Sequence, residues 1–247
     1  TRIVWTDNTK VQQMVDLAAE FSAMTFQPEQ ASWIAPYLES DSTGNNSNLG
    51  RMNIHSSSAP ITWGGLAVEP AGEVFVSLKE LNGDMASVTL EYLAIRRPPE
   101  DPEQVEYYEV EDSFTMRWGD PRIYMMDFER RADQIFTGSQ DLFTGSRILL
   151  GITGADQLQA EKSPNGKIAA FVTNGDLWCF DQEERRAANV FSFRSSSERG
   201  IRPSYDQHAI RILDVADSGD VDFLVYGYMN RGVHEGCMGV AMYHYSS

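Results

Sequence analysis

The sequence is poor in the residues that build cross-links and long apolar segments. Only two cysteines, Cys179 and Cys237, occur in 247 residues, and neither belongs to a Cys-x-x-Cys spacing. This excludes a disulfide framework and the common zinc motifs. We expect both to be buried free thiols, because each interrupts an apolar strand pattern. The best apolar run, residues 148–152, is far shorter than the ~20 residues of a membrane-spanning helix, so no membrane insertion is expected within this chain.

Basic residues are also scarce. Lys and Arg number 20 against 36 Asp and Glu, which gives a net charge of −16. This balance argues against a nucleic-acid partner, because neutralising phosphates needs a surplus of basic residues. Seven of the acids fall between Glu100 and Asp112, with no base among them. Apolar residues alternate with them, so we expect these acids to form the solvated face of a half-buried strand.

Signatures of cofactor binding and of nucleophilic catalysis are missing as well. The glycines at 64–65 and 151–154 fit neither a phosphate-binding loop nor a Rossmann fingerprint. The Gly-Ser pairs at 138–139 and 145–146 do not complete a Gly-x-Ser-x-Gly nucleophile motif. No cofactor is therefore expected, apart from a calcium ion considered below. The question of enzymatic activity stays open and leans towards a non-catalytic role.

Helical periodicity is present near the start of the chain. Residues 10–24 carry apolar side chains at helical spacing, at Val11, Met14, Val15, Ala18 and Phe21. A second helix is predicted over 29–38, and the polar, turn-rich segment 41–48 is typical of a mobile loop. Residues 1–60 are accordingly assigned as an N-terminal helical segment with a mobile loop.

Strand patterns dominate from about residue 61 onward. Runs of β-branched and aromatic residues alternate with turn signals such as Asn82-Gly83 and Asn174-Gly175. A helical turn is predicted over 129–136. We divide this part into an antiparallel β region with the acidic strand, 61–160, and a β meander, 161–247. The predicted fold class is mainly β, α+β overall, with an antiparallel meander on which the N-terminal helices pack.

The C-terminal third resembles a known repeat. Residues 163–171 read Ser-Pro-Asn-Gly-Lys-Ile-Ala-Ala-Phe and residues 174–178 read Asn-Gly-Asp-Leu-Trp. This order resembles one blade of a TolB-like or YWTD-like β-propeller, and 208–245 resemble three strands of a following blade. Residues 105–136 and 189–247 also resemble uncharacterised extracytoplasmic β-rich proteins of Gram-positive bacteria. The resemblance implies propeller-blade-like units and a secreted or membrane-anchored location outside the cytoplasm, and it implies no activity.

These blade-like units are too few for a closed propeller. Closure needs at least about four blades of ~40 residues each. A truncated propeller leaves an open strand edge, which proteins normally cover. We therefore expect that edge to be paired within the molecule or with a second copy, as in a homodimer.

The first candidate site combines histidines and charged residues from two segments. If the strands form a meander, the start of the strand at His208 and the loop after Met229 lie near one end of the same sheet. A histidine beside a carboxylate could act as an acid–base group or bind a metal ion. A hydrogen-bonded loop that fixes the hairpin is the alternative. The candidate residues are Asp206, His208, Asn230, Arg231, His234 and Glu235.

A second candidate is a group of aspartates around Gly219, namely Asp214, Asp217, Asp220 and Asp222. Calcium binds several carboxylate oxygens on a tight turn. However, the spacing does not match an EF-hand, and aspartate is common at hairpin turns for backbone reasons alone. A calcium site and a turn without metal therefore both remain open.

The third candidate is the set of tryptophans, which could stack on sugar rings if they were exposed: Trp5, Trp33, Trp63, Trp118 and Trp178. Packing in the core is the alternative for each. Together these features predict a non-catalytic extracytoplasmic binding or scaffolding domain of a larger cell-surface protein, with a protein or carbohydrate partner. The alternatives are a carbohydrate-active or other hydrolase using clustered carboxylates or histidines, and a calcium-stabilised adhesion-like module.

Overall fold

A computed structural model describes residues 10–99, 101, 103–139, 142–144, 147–151, 158–194 and 207–247. Strands make up 50% of the chain and helices 15%, and the sheets are antiparallel. This confirms the predicted mainly-β fold class. The chain divides into two compact units, Thr1–Asp133 and Gln134–Ser247. Across the described ranges, no helix is long and apolar enough to cross a membrane, and no closed barrel or propeller forms.

Unit 1 contains one five-stranded antiparallel sheet in the order β1-β5-β4-β3-β2. Its strands are β1 (Arg51–Asn53), β2 (Val68–Asn82), β3 (Met85–Arg96), β4 (Glu106–Gly119) and β5 (Arg122–Gln134). Its helices are α1 (Val11–Met24), α2 (Ala31–Ile34) and α3 (Ser58–Ile61), with 3-10 turns at Pro28–Gln30, Ala35–Tyr37 and Trp63–Gly65.

Helix α1 packs on β3 and β4 through the apolar stripe that the sequence predicts. Met14, Ala18 and Phe21 are fully buried. The ring centroid of Phe21 lies 5.6 Å from that of Phe114 and 5.1 Å from that of Phe128, so the helix is held on the sheet by aromatic contacts.

The predicted second helix over 29–38 is confirmed as a helical segment, but only its middle is α-helical: α2 lies between two contiguous 3-10 turns. Pro28 stands at the start of the first turn, where a proline is tolerated. Pro36 explains why the α-helix does not continue, because a proline lacks the amide hydrogen that an α-helix needs and its ring clashes with the preceding turn. The polar segment 41–48 is a loop whose side chains cap its own backbone; for example, the Asp41 carboxylate accepts a hydrogen bond from the Thr43 amide at 2.7 Å.

The predicted helical turn over 129–136 is also wrong, because β5 continues to Gln134. Phe128, Arg130 and Ala132 alternate along this strand and all three are buried. An alternation of two is the period of a strand, so Arg130 occupies a core position between two apolar residues.

Arg130 is buried because it pairs with Asp112, which is also fully buried. The guanidinium donates Nε to Oδ1 at 2.6 Å and Nη2 to Oδ2 at 2.7 Å. Tyr92 and Ser22 donate their hydroxyls to Asp112 Oδ2 at 2.9 and 2.7 Å. Arg130 Nη1 also donates to the carbonyl of Ile61 at 3.0 Å. The pair therefore connects α1, α3, β3, β4 and β5 in one hydrogen-bonded network.

The network also shifts the pKa values of Arg130 and Tyr92. Burial acts to lower the pKa of Arg130, but the charge and hydrogen-bond interactions with Asp112 and Tyr92 together outweigh burial and the pKa is raised. Burial raises the pKa of Tyr92 well above its usual range, so its phenol stays protonated and donates to Asp112. The Arg130 guanidinium also lies 4.8 Å from the ring centroid of Trp63, an attractive cation–π contact.

The position of Asp112 corrects the expectation for the acidic segment. Glu109 and Glu111 are half-buried on one face of β4, whereas Asp112 alternates with Val110 and Phe114 on the core face. The segment therefore contributes its last acid to the core, and the solvated-face expectation is wrong for Asp112.

Unit 2 contains two larger antiparallel sheets, in the orders β11-β10-β9-β8 and β12-β13-β14, and a two-residue hairpin, β6–β7. The strands are β6 (Phe143–Thr144), β7 (Arg147–Ile148), β8 (Gln159–Lys162), β9 (Ile168–Thr173), β10 (Asp176–Asp181), β11 (Arg186–Phe191), β12 (His208–Val215), β13 (Val221–Tyr228) and β14 (Met238–Tyr245). The two larger sheets share one buried apolar cluster, in which Leu177, Val221 and Val225 are fully buried.

The two cysteines differ in their surroundings. Cys179 lies in β10 and is buried, as expected, and burial raises its pKa to about 11. Cys237 is exposed, so the expectation of a second buried thiol is wrong. Cys237 directly precedes β14, an edge strand that leaves its flanking loop open to solvent.

We predict that Arg130→Met destabilises unit 1 by about 3–5 kcal/mol, because it leaves the Asp112 charge buried without a partner. Hydrogen exchange of the amides in α1 and β4 measures this loss. Arg131→Met, at the exposed neighbouring position, is the matched control and should have little effect. Replacing both members, with Asp112→Leu added to Arg130→Met, should restore part of the protection. Equal exchange in the Arg130 and Arg131 variants would contradict this account.

Candidate functional site

The structure places the two segments of the first candidate site at one end of the β12–β14 sheet. His208 begins β12 and pairs with Gly227 of β13. Residues 230–236 then connect β13 to β14 at that same end. Asp206 lies outside the described residues.

The candidate residues in this loop differ in how far their side chains are buried. Asn230 is buried, whereas His234 and Glu235 are exposed and Arg231 is half-buried. The loop is closed by backbone hydrogen bonds, including one from the Gly236 amide to the carbonyl of Met229 at 2.9 Å. This geometry fits the hairpin-fixing alternative, in which the loop organises its own backbone.

The ring of His208 is held by unit 2 neighbours outside this loop. Its Nε2 donates to the carbonyl of Gly175 at 2.9 Å, and its ring lies edge-on to Phe193 with centroids 4.7 Å apart. The Nδ1 atom is buried without a hydrogen-bond partner in the described residues.

Next to His208 lies an ion pair that the sequence analysis did not identify. Asp176 is 6% exposed, and Arg194 Nη1 donates to its Oδ2 at 2.6 Å. Burial raises the pKa of Asp176, and Arg194 opposes that shift. Asp176 follows an Asn-Gly turn, where an aspartate is most simply explained by turn chemistry, and so its pairing could not be inferred locally.

The aspartates around Gly219 make separate local contacts. Asp217 accepts a hydrogen bond from the Asn165 amide at 3.0 Å, and Asp222 contacts His244 Nδ1 at 2.7 Å. Hydrogen bonds, the largest from the Ser247 amide, lower the pKa of Asp220, while Asp214 pairs with Asp222 in the strand register. In the part of the chain that the structure covers, no three His, Cys, Asp or Glu side chains converge as a metal site. The calcium interpretation stays a prediction.

The tryptophans are distributed between core and surface. Trp63 is buried in unit 1, and Trp178 packs edge-on against Phe136 in unit 2 with centroids 5.0 Å apart. Trp33 and Trp118 are half-buried, and Trp5 lies outside the described residues. Trp33 therefore forms part of a surface cleft of unit 1.

The edges of the sheets differ in how well they resist pairing with another strand. Strand β1 has three residues and β8 has four. Strand β2 is long, but it contains Pro70 and Lys79 and its pairing with β3 shifts register twice. The β10–β11 and β12–β13 pairings also contain register shifts. Short length, charge, proline and bulges are the features that protect sheet edges from further pairing.

Strand β14 lacks all of these features. It extends over eight residues, contains no Lys, Arg, Asp, Glu or Pro, and pairs with β13 without a register shift from Met238 to Tyr245. Its outer backbone groups thus lie along a regular edge without Lys, Arg, Asp, Glu or Pro, and such an edge can accept a further strand.

One face of β14 is also apolar and exposed. Met238, Val240 and Met242 alternate along the strand and are 75%, 70% and 68% exposed. Their register partners on β13 include Tyr226, which is 41% exposed, and Leu224. We call these five residues the β14 face. Contiguous apolar patches of this kind mark interaction sites more often than scattered single residues do.

The opposite side of β14 is fixed to the unit 2 core. Ala241 and Tyr245 pack against the buried cluster, and the ring of Tyr243 stacks on that of Phe223 with centroids 5.5 Å apart. The β14 face therefore belongs to an anchored strand. The sequence analysis predicted this strand and expected the edge left by an incomplete propeller to be paired within the molecule or with a second copy. Within the described residues β14 is an outer strand, and the exposure of its apolar side has no local signal in the sequence.

Comparison with known proteins found no match to this chain among family models, curated proteins or solved structures.

We predict that Arg194→Gln destabilises unit 2, by about 1–3 kcal/mol at neutral pH, because it removes a charge-assisted hydrogen bond to the buried Asp176. The pKa of Asp176, already raised by burial, should rise further in this variant. A raised native pKa means that the folded state binds more protons than the unfolded state, so stability is lost as pH rises through that pKa. The loss should therefore be smaller at acidic pH than at neutral pH.

Hydrogen exchange of the β10 amides at several pH values measures this effect. Arg211→Gln, on the exposed side of β12, is the control and should show no such trend. A loss in the Arg194 variant that is independent of pH would show that Asp176 is not the group involved.

Proposed function

We propose that the protein is a non-catalytic binding or scaffolding module that self-associates through the β14 face and its free edge. The observation that carries the proposal is the combination on β14 of a long, regular, uncharged edge with three apolar side chains about 70% exposed. A strand from a second molecule would satisfy the unpaired backbone groups, and its own apolar side chains would pack beside those of the first copy on the same face of the sheet.

The order of residues on β14 supports a second copy as the occupant. Residues 238–242 read Met-Gly-Val-Ala-Met, with large apolar residues at the ends and centre and small residues between. Antiparallel pairing centred on Val240 brings Met238 of each copy opposite Met242 of the other, and Gly239 opposite Ala241. A two-fold interface needs this kind of self-complementarity, because the same patch meets itself.

The distribution of charge supports the same occupant. Of the net charge of −16, residues 1–133 contribute −12 and residues 134–247 contribute −4. Two copies that meet through unit 2 therefore experience weaker repulsion than copies that meet through unit 1. No charged residue of β14 opposes its symmetry mate, so the strand itself adds no repulsion.

The proposal extends to the setting of the protein. We place it outside the cytoplasm, as part of a larger cell-surface protein, because residues 105–136 and 189–247 resemble extracytoplasmic β-rich proteins of Gram-positive bacteria. The four-stranded meander β8–β11 and the three-stranded meander β12–β14 are compatible with blade-like units. In this setting, pairing through β14 would join copies into a scaffold.

The direct test is the mass of the purified chain by sedimentation equilibrium over a wide range of concentrations. We expect a reversible dimer for the unmodified chain and a monomer for Val240→Lys, because pairing centred on residue 240 would place the two lysine ammonium groups directly opposite each other. Val233→Lys is the matched control, since Val233 is 95% exposed in the loop before β14. It should remain dimeric.

Circular dichroism establishes that both variants are folded, which is expected because both positions are exposed. A chain that is monomeric at every concentration would contradict self-association. A dimer that persists in Val240→Lys would place the interface elsewhere than on β14.

A further inference from the structure

A shallow cleft in unit 1 lies between α2, the 3-10 turn that follows it, and the start of β5. It has a volume of about 370 Å³ and is lined by Ser32, Trp33, Pro36, Tyr37, Arg122 and Ile123. This volume lies within the roughly 300–1,000 Å³ range of small-molecule sites.

Two aromatic rings form one wall of the cleft. Trp33 and Tyr37 are four residues apart, so they lie on one side of the helical segment, and their ring centroids are 5.1 Å apart. Both rings contact Phe21, at 6.5 and 6.2 Å between centroids, and Phe21 is fully buried. The aromatic wall is therefore supported from the core and does not need to rearrange when a ligand arrives.

Arg122 supplies the cation of the cleft. Its guanidinium lies 4.6 Å from the ring centroid of Tyr124, which limits its orientations. Among the described residues, no carboxylate forms an ion pair with Arg122, although residues 1–133 contain 22 acids. A guanidinium held over an aromatic ring with its N–H groups unpaired can bind a carboxylate through two parallel hydrogen bonds.

We propose that this cleft binds a sugar that carries a carboxylate, such as a uronic acid unit. The C–H face of a pyranose ring is apolar and slightly positive, and it packs on the negative face of an aromatic ring. Trp33 and Tyr37 provide that surface, and Arg122 binds the carboxylate at its rim. The hydroxyls of Ser32 and Tyr37 remain available for the sugar hydroxyls.

The cleft lining fits binding better than cleavage. Glycoside hydrolysis normally uses two carboxylates on either side of the scissile bond, and the six lining residues include neither aspartate nor glutamate. The inference is therefore consistent with a non-catalytic module. It is independent of self-association, because it concerns a separate surface in the other unit.

The test is saturation-transfer difference NMR and calorimetric titration of the full chain with D-glucuronate, in buffer of physiological ionic strength. Glucose serves as the uncharged sugar and acetate as the carboxylate without a sugar. We expect glucuronate to bind at least about tenfold more tightly than glucose, since a charge-assisted hydrogen bond contributes at least that factor. It should also bind more tightly than acetate, which has no ring to pack on Trp33 and Tyr37.

Substitutions test the charged part and the aromatic part of the cleft separately. Arg122→Gln should reduce glucuronate affinity by about tenfold or more and leave the weak glucose signal unchanged. Arg117→Gln is the matched control, because this exposed guanidinium lies 5.8 Å from the same Tyr124 ring but outside the cleft lining. It should bind glucuronate normally.

Trp33→Ala should abolish binding, and Trp33→Phe should retain part of it, which distinguishes lost stacking from lost folding.

Three results would overturn the proposal. Absence of glucuronate binding to the unmodified chain would remove the site. Equal affinities for glucuronate and acetate would show that the cleft does not recognise the sugar. An equal loss in the Arg117 and Arg122 variants would show that general surface charge, not the cleft, attracts the anion.

Discussion

A strand at the edge of an open sheet carries backbone donors and acceptors that only water or another strand can satisfy. The protein consists of open antiparallel sheets, so this constraint bears on each of its outer strands. Short length restricts pairing at β1 and β8, and charge, proline and register shifts restrict it at β2. Because β14 has none of these and also exposes an apolar face, our account of the protein as an assembling module depends on this one edge.

Inside unit 1, the same requirement for hydrogen-bond partners is met by the Asp112–Arg130 pair. The two charges are buried, and the hydroxyls of Ser22, Thr25 and Tyr92 and a main-chain carbonyl complete their hydrogen bonding. Such a pair contributes less to stability than its Coulomb attraction suggests, but it penalises any packing that separates its members. It thereby fixes α1 on the sheet, and α1 carries Phe21, which supports the aromatic wall of the cleft.

Much of the fold could be predicted from the sequence because its signals are local. The stripe of α1 and the Asn-Gly turns of the hairpins each fix an element from a few neighbouring residues. Asp112 and Arg130 were misassigned because each is stable in the core only through the other, 18 residues away. The alternation of Asp112 with Val110 and Phe114 was the available signal, and the concentration of acids nearby obscured it.

The β14 face could be predicted only in part. The sequence indicates a strand at the end of a meander and an edge that needs a partner, but whether the apolar side of that strand is covered depends on the whole of unit 2. The most direct test of the account is hydrogen exchange of the β14 amides at increasing protein concentration. We expect protection to appear along β14 as concentration rises, with β2 unchanged. Concentration-independent exchange of β14, or protection that appears on β2 instead, would contradict the central claim.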